Sequence, residues 1–506
     1  MAASSFEPST GAPGLTLVTG LAGHSDRAWS LAWNPTMPIL ASCSSDKDVR
    51  LFSYRFPKID PTSSSDVDMA DAGQKGEQSK KPLAPTFELK ETIPTGHRRT
   101  VRDVAWHPSG KSLATASFDS TVGIWERVAD VMAAAGGGQS RHDDDEDEVM
   151  ARGSENKDDG GAEWDCIGTL EGHDSECKAV GFSYTGGLLA SCSRDKSVWV
   201  WEVQGQAEFE CLSVLMEHSQ DVKTLAWHPK EELLASASYD DTIRLYVDDP
   251  SDDWFCYTIL TGHEATVWSL AFSPCGNFLA SASDDCTVRI WRRLTAAQAE
   301  ERGLKANPKG PGREGDRWHC VRIIKGWHTR TIYSVSWGGI SCLDEDQQEG
   351  LSTSLGNIAT AGGDGQIVVF QVSLSDSEAS MQSGQKGGHQ QVDLAPKVEL
   401  IARQYEAHGD ADVNCVCFAP TKLQRLRSFI EEEEEAKIKI KELSESEIEH
   451  EHQRSRLERG TSGAEHGDDA VMSLGGLLAS AADDGTLKVW SIPRVQVSSP
   501  VVDKAT

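Results

Sequence analysis

One ruler, repeated along the 506 residues, constrains this chain more than any other feature. Between His263 and Trp291 a histidine stands 22 positions before an aspartate, Asp285, and that aspartate stands 6 before an aromatic residue. The same 22 separates His24 from Asp46, His97 from Asp119, His173 from Asp195 and His218 from Asp240. Two more copies stretch it, to 36 between His328 and Asp364 and to 76 between His408 and Asp484. Six after each aspartate is Phe52, Trp125, Trp201, Tyr246, Trp291, Phe370 or Trp490, and four before it is Ser42, Thr115, Ser191, Ser236, Ser281, Thr360 or Ser480. Within a unit, the runs VWSLAF and NFLASAS flank SPCG, and a DDCT corner leads to VRIW, which reads as strand, turn, strand, turn, strand.

Seven such units of roughly 40–45 residues account for about 300 residues, so the chain is read as one all-β ring with long loops rather than as three domains. Residues 1–14 are small and polar and are expected to be disordered. LTLVTGLAGH then supplies a strand without a partner in its own unit, so it is expected to complete the last one and close the ring. The ring spans 15–495, with a flexible tail at 496–506. Insertions are placed at about 55–85, 127–162, 293–316, 341–356, 373–396 and 421–473. The last includes a run of helix formers from Lys422 to Gly460, expected as a charged helix that is solvated rather than docked. With the strands of a unit lettered A to D from the inside, every insertion falls between A and B or between C and D. One face of the disc is therefore decorated, while the D-to-A loops and B-to-C corners of the other face stay short.

The net charge of −30 opposes phosphate-backbone binding, so no direct nucleic-acid partner is expected. Much of the acid lies in the insertions, in HDDDEDE at 142–148 and EEEEE at 431–435. No run approaches a membrane span, and MAASSFEPSTGAPG lacks the basic-then-apolar order of a secretory signal. The twelve cysteines form no CxxC pair. Cys43 and Cys192 share one repeat position, and Cys415 and Cys417 stand where another unit has Ser269 and Ala271, so they read as small packed residues in a reducing compartment. No metal and no cofactor is expected.

Each unit brings together His, Ser or Thr, and Asp, the set that elsewhere makes a charge relay. Seven equivalent sets argue for framework instead: the Asp holds the corner and accepts from His, whose other nitrogen reaches the hydroxyl and so the aromatic. No catalytic residue is assigned and the chain is not expected to be an enzyme. From the GH dipeptides to the terminal tryptophans the pattern resembles the WD-repeat (WD40) family, which implies a seven-bladed β-propeller of WD repeats used as an interaction platform.

Recognition is then expected on the constrained face. Five positions after the histidines stand Trp29, Arg102, Lys178, Lys223, Trp268 and Tyr333, with Asn414 shifted by one. Just before the corner aspartates stand Ser45, Phe118, Arg194, Tyr239, Asp284, Gly363 and Asp483. Cations and aromatics thus gather on an acidic protein, and an acidic or aromatic-ended peptide would suit them; packing against neighbours is the other reading. CSRDKSVWVWEV, EHSQDVKTLAWHP, LLASASYDDTIRLY and GHEATVWSLAF further resemble the WD-repeat subunit of the cytosolic iron-sulfur protein assembly (CIA) machinery. That resemblance implies an exposed functional role for Arg194 and a non-catalytic adaptor that helps deliver clusters to cytosolic and nuclear apoproteins. It also implies a small adaptor subunit, a HEAT-repeat subunit, a hydrogenase-like cluster carrier and client apoproteins as partners. A generic WD-repeat adaptor of chromatin, ubiquitin-ligase or signalling complexes is the rival reading.

Overall fold

The computed structural model describes residues 13–21, 23–56, 84–127, 164–204, 208–248, 254–301, 317–338, 353–375, 394–420 and 476–493. They form a seven-bladed β-propeller, each blade a four-stranded antiparallel sheet, in blades 1 to 6 in sequence order from the inside outward. Blades 1 to 6 occupy 28–94, 101–170, 177–215, 222–260, 267–325 and 332–404. Blade 7 joins the two ends of the ring: Val413–Phe418, Leu477–Ala482 and Leu487–Ser491 are completed by Thr16–Leu21, which runs antiparallel to Leu487–Ser491. The innermost strands of neighbouring blades touch all the way round, so the ring is closed.

Strand chemistry follows depth. Six of the seven B strands are runs of six buried residues, such as LLASCS at Leu188–Ser193 and LLASAS at Leu233–Ser238, and the nine-residue B strand of blade 6 is buried over its last seven. One or two large residues are followed by a run of small Ala, Ser and Cys, and all are buried because both faces of the B strand are covered by neighbouring blades, unlike the half-solvated D strands. The cores lie between blades: Val222, Leu225 and Leu234 of blade 4 pack with Val198, Val200 and Leu215 of blade 3. Burying each such aliphatic contributes about 1.5–3 kcal/mol. Cys43 and Cys192 are fully buried in these cores.

The B-to-C corners all turn on one left-handed residue directly after the aspartate. Five of the seven are not glycine: Lys47, Ser120, Lys196, Asp241 and Cys286, with φ between 60° and 76°. A side chain there is strained. The strain is offset because the Asp carboxylate accepts the N–H two residues on, as from Ser197 to Asp195 at 2.8 Å and from Thr287 to Asp285 at 2.9 Å.

Every connection on the D-to-A and B-to-C side is short, and the strand ends that bracket the long connections are on the other side. Two insertion boundaries need correction. The C strand of blade 5 runs on to Leu294, and 296–301 form a short helix, Ala296–Glu301, inside the expected 293–316 loop. Thr295 and Gln298 cap it reciprocally, each backbone N–H donating to the other's side chain at 3.1 and 3.4 Å. In blade 6 the B strand is Ser354–Gly362, so the loop expected to reach 356 ends earlier. The charged helix expected from Lys422, the acidic run at 142–148, most of the N-terminal 14 residues and the 496–506 tail lie outside the described residues.

Candidate interaction face

The repeated polar residues form a directed relay under the constrained face. In blade 3, Trp201 Nε1 donates to Ser191 Oγ at 3.1 Å, that hydroxyl meets His173 Nε2 at 2.9 Å, and His173 Nδ1 meets Asp195 at 2.8 Å. The carboxylate also accepts the Asp174 N–H at 3.0 Å, so the D-to-A loop is tied to the B-to-C corner. Burial works against ionisation of Asp195, but the bonds from His173 and Ser197 hold it well below the usual carboxylate range. An ionised Asp195 sets the His173 tautomer with hydrogen on Nδ1. The His-to-Asp contact recurs at 2.9 Å from His24 to Asp46 and from His218 to Asp240, 3.1 Å from His97 to Asp119, 2.7 Å from His263 to Asp285 and 3.0 Å from His328 to Asp364.

Blade 7 departs from this. His408 Nδ1 meets Thr486 Oγ1 at 2.8 Å, while Asp484 stands 3.7 Å away, beyond hydrogen-bond reach, and is 36% exposed. The placement of Asp484 as a direct histidine partner is therefore corrected. The cause is one extra residue in the loop from His408 to Asn414. It turns on a left-handed Gly409, whose N–H bonds to Glu406 O instead of to the aspartate.

Above the relay, the rim residues share a backbone feature not read from the sequence. In all seven blades the register of strands A and B skips one residue, and the skipped residues are Trp29, Arg102, Lys178, Lys223, Trp268, Tyr333 and Asn414. Each is the extra residue of a β-bulge, which re-aims its side chain. Freed from the ladder, these side chains meet rim residues of their own and of neighbouring blades. Arg102 lies 4.7 Å over the Trp29 ring and Lys178 4.0 Å over Phe118. Lys223 lies 5.1 Å from both Tyr239 and Trp268, and Trp268 meets Tyr333 edge-on at 5.4 Å. Trp29 Nε1 donates to Ser45, and buried Asn414 donates to Ala28 O and Asp483. The Trp268 Nε1 is buried without an acceptor.

Two carboxylates organise this belt. Glu176 binds Lys178 at 2.7 Å and Arg99 at 2.8 Å, and Asp221 binds Lys223 at 3.4 Å. Both acids stand two residues before their lysine on an inner strand, so the ECK and DVK spacings carried the signal. Lys178 and Lys223 are thereby pinned, with side chains 14% and 12% exposed. Burial pulls the Lys178 pKa down even with Glu176 beside it. Arg194 differs: 57% of its side chain is exposed, and its contacts are long, 3.8 Å to Glu176 and 4.0 Å to Asp221. Of the cations paired with Glu176 and Asp221 it has the longest contacts.

All eleven described cysteines are free, and among the described residues no three His, Cys, Asp or Glu side chains converge as a metal site. Cys415, on the innermost strand, is pushed up to about 11 by burial, and Cys417 is raised by the same cause, so both stay protonated thiols.

The model of the WD domain, G-beta repeat, matches residues 15–53, 88–126, 164–202, 209–246, 254–292 and 461–491. It leaves out blade 6, where the ruler is stretched. The chain is thus a WD-repeat propeller. Its relatives are more specific. It is 54% identical over 500 residues to the probable cytosolic iron-sulfur protein assembly protein 1 of Mycosarcoma maydis, covering 97% of this chain and 96% of that one. A protein of the same description from Malassezia globosa is 58% identical over 339 residues, covering 66% and 86%. One from Cryptococcus neoformans var. neoformans is 36% identical over 519 residues, covering 94% and 98%. The chain belongs to the family of cytosolic iron-sulfur protein assembly protein 1.

Proposed function

We propose that this protein is a non-catalytic adaptor of iron-sulfur protein assembly in the cytosol, helping clusters reach apoproteins through protein-protein contacts. The relatives' names support the pathway and the compartment. Seven near-equivalent His, hydroxyl and Asp sets, each consumed in holding a corner, support a framework role over catalysis. The cluster is cargo in this reading, since the buried thiols are protonated where a cluster needs thiolates. Its partners are a small adaptor subunit, a HEAT-repeat subunit, a hydrogenase-like cluster carrier and the client apoproteins.

The rim of blades 2 to 4 is the surface proposed for clients or assembly subunits. One observation carries this: Arg194 stands exposed and loosely paired on a protein of net charge −30, beside cations already matched to aromatics and carboxylates. An incoming carboxylate would shorten the bonds of Arg194 without breaking the belt. Affinity capture with wild type and Arg194→Glu tests it. Recovery of clients or assembly subunits is expected to fall by about tenfold, a loss of one hot-spot contact, while the melting temperature holds. Equal recovery by the folded variant would refute the role of Arg194. Failure of the wild type to recover any assembly subunit would favour a generic adaptor of another complex.

A further inference from the structure

A second surface lies on the perimeter, away from the rim. The outermost strand of blade 3, Glu208–Leu215, splits at a bulge into two chemically different halves. Past the bulge, Leu212, Val214 and Met216 are exposed by 43%, 41% and 74%. Leu212 is itself the bulged residue. At the same bulge Ile167, Tyr257, Val321 and Ile401 of other blades are partly or wholly covered. The perimeter strands of blades 1, 5 and 6 carry Lys90, Arg322 and Lys397, the cations that ordinarily blunt a free edge. Blade 3's, like those of blades 2, 4 and 7, carries no Lys, Arg or Pro, and it alone of these four has an exposed aliphatic at the bulge itself.

The other half of the strand is acidic in an unfavourable way. Glu210 sits directly opposite Glu202 of the neighbouring strand, with exposed Glu208 two residues further on. Like charges in cross-strand register repel. The contact between them is the Gln204 amide, which donates to Glu202 at 2.8 Å and to Glu210 at 3.3 Å. Among the described residues no cation pairs with Glu202, Glu208 or Glu210. The edge therefore offers uncovered aliphatics at one end and uncompensated carboxylates at the other, within one extended run.

We infer that the outer edge of blade 3 docks an extended segment of a partner protein that carries aliphatic side chains at one end and Lys or Arg at the other. The cations neutralise the Glu202 and Glu210 pair, and the aliphatics cover Leu212, Val214 and Met216. A second copy of this chain is a poor occupant. Antiparallel pairing of two such edges lays carboxylates over aliphatics, and parallel pairing lays carboxylates against carboxylates. The surface goes beyond the proposed rim and is separable from it.

The test uses the full chain and two labelled nonapeptides, Lys-Thr-Lys-Thr-Leu-Thr-Val-Thr-Leu and its reversed sequence, with a scramble of the same composition. In fluorescence anisotropy one orientation is expected to bind at least about tenfold better than the scramble. Glu202→Lys/Glu210→Lys is expected to abolish that preference and to transfer it to a peptide with Glu in place of Lys. Val214→Asp/Met216→Asp is expected to weaken binding by about tenfold, and Arg194→Glu to leave it unchanged. The inference is overturned if neither orientation exceeds the scramble, or if Arg194→Glu removes binding while the edge variants keep it. It is also overturned if sedimentation shows a dimer that Met216→Asp dissolves, because the edge would then belong to a second copy. Melting temperatures equal to wild type establish that the variants are folded.

Discussion

Blades 3 and 7 carry the same marker residues and use them differently. In blade 3 a contiguous stretch holds His173, Ser191, Asp195 and Trp201 at bonding distance, and the corner lifts Arg194 above them. In blade 7, assembled from both ends of the ring, His408 and Ser480 keep their bond at 2.7 Å, and Trp490 donates to Ser480 at 2.8 Å. Asp484 has moved to 3.7 Å and Thr486 has taken its place. The inner part of the relay survives because it is buried in the blade. The outer part depends on loop length, and one added residue before Asn414 is enough to undo it.

The difference should appear first in acid. Burial, and then the charge of Lys488, pulls His408 down to about 4. Above pH 6.5 the imidazole is neutral whether the chain is folded or not. Below that the unfolded chain takes up a proton that the folded one refuses, so stability falls until about pH 4. The loss is about 3 kcal/mol across that window. Denaturant titration at stepped pH should show a pH 6.5-to-4 loss smaller by that amount in His408→Gln. His218, also lowered chiefly by burial, is common to both chains and cancels. The corner aspartates of blades 1 to 5 act lower still. Their folded pKa values are depressed, so their contribution is complete above about pH 4 and fades only as pH falls further. An equal pH 6.5-to-4 loss in the two chains would erase the distinction.

Next in size is removal of the aspartates. Asp195→Ala strands the donors of His173, Asp174 and Ser197 and is expected to cost about 2 kcal/mol, against under about 1 kcal/mol for the half-exposed Asp484→Ala. Equilibrium unfolding of both variants at neutral pH measures the gap; equal costs would mean that blade 7 is tied as blade 3 is. The smallest effect concerns the perimeter of blade 3. With no partner bound, Glu210→Lys turns a repelling pair with Glu202 into an attracting one and should stabilise the free protein by about 0.5 kcal/mol. A melting temperature lowered by this substitution would show that the pair is not in conflict.

Much of this was legible in the residues themselves. The histidine-to-aspartate ruler, the alternating runs and the orphan N-terminal strand led to a closed ring of seven because each is a local pattern repeated in register. The helix at Ala296–Glu301 stands inside the expected 293–316 insertion, although its Thr295 and Gln298 spell a capping box. Glu176 and Asp221 lie outside the repeated ruler, and their part shows only once each is seen to bind the lysine two positions on.

The sequence alone determined the blade count, the closure and which face stays short, since these follow from spacing along the chain. Tertiary structure alone decided which rim cations are spent. Lys178 and Lys223 are matched and Arg194 is left over because the A-strand bulges swing residues of different blades together, at separations such as 60 positions between Phe118 and Lys178. It also decided that Asp484 falls short of its histidine and that two glutamates face each other across blade 3. Distances of that kind depend on bulges, turns and register, which repeat in space without leaving a matching repeat in the residues.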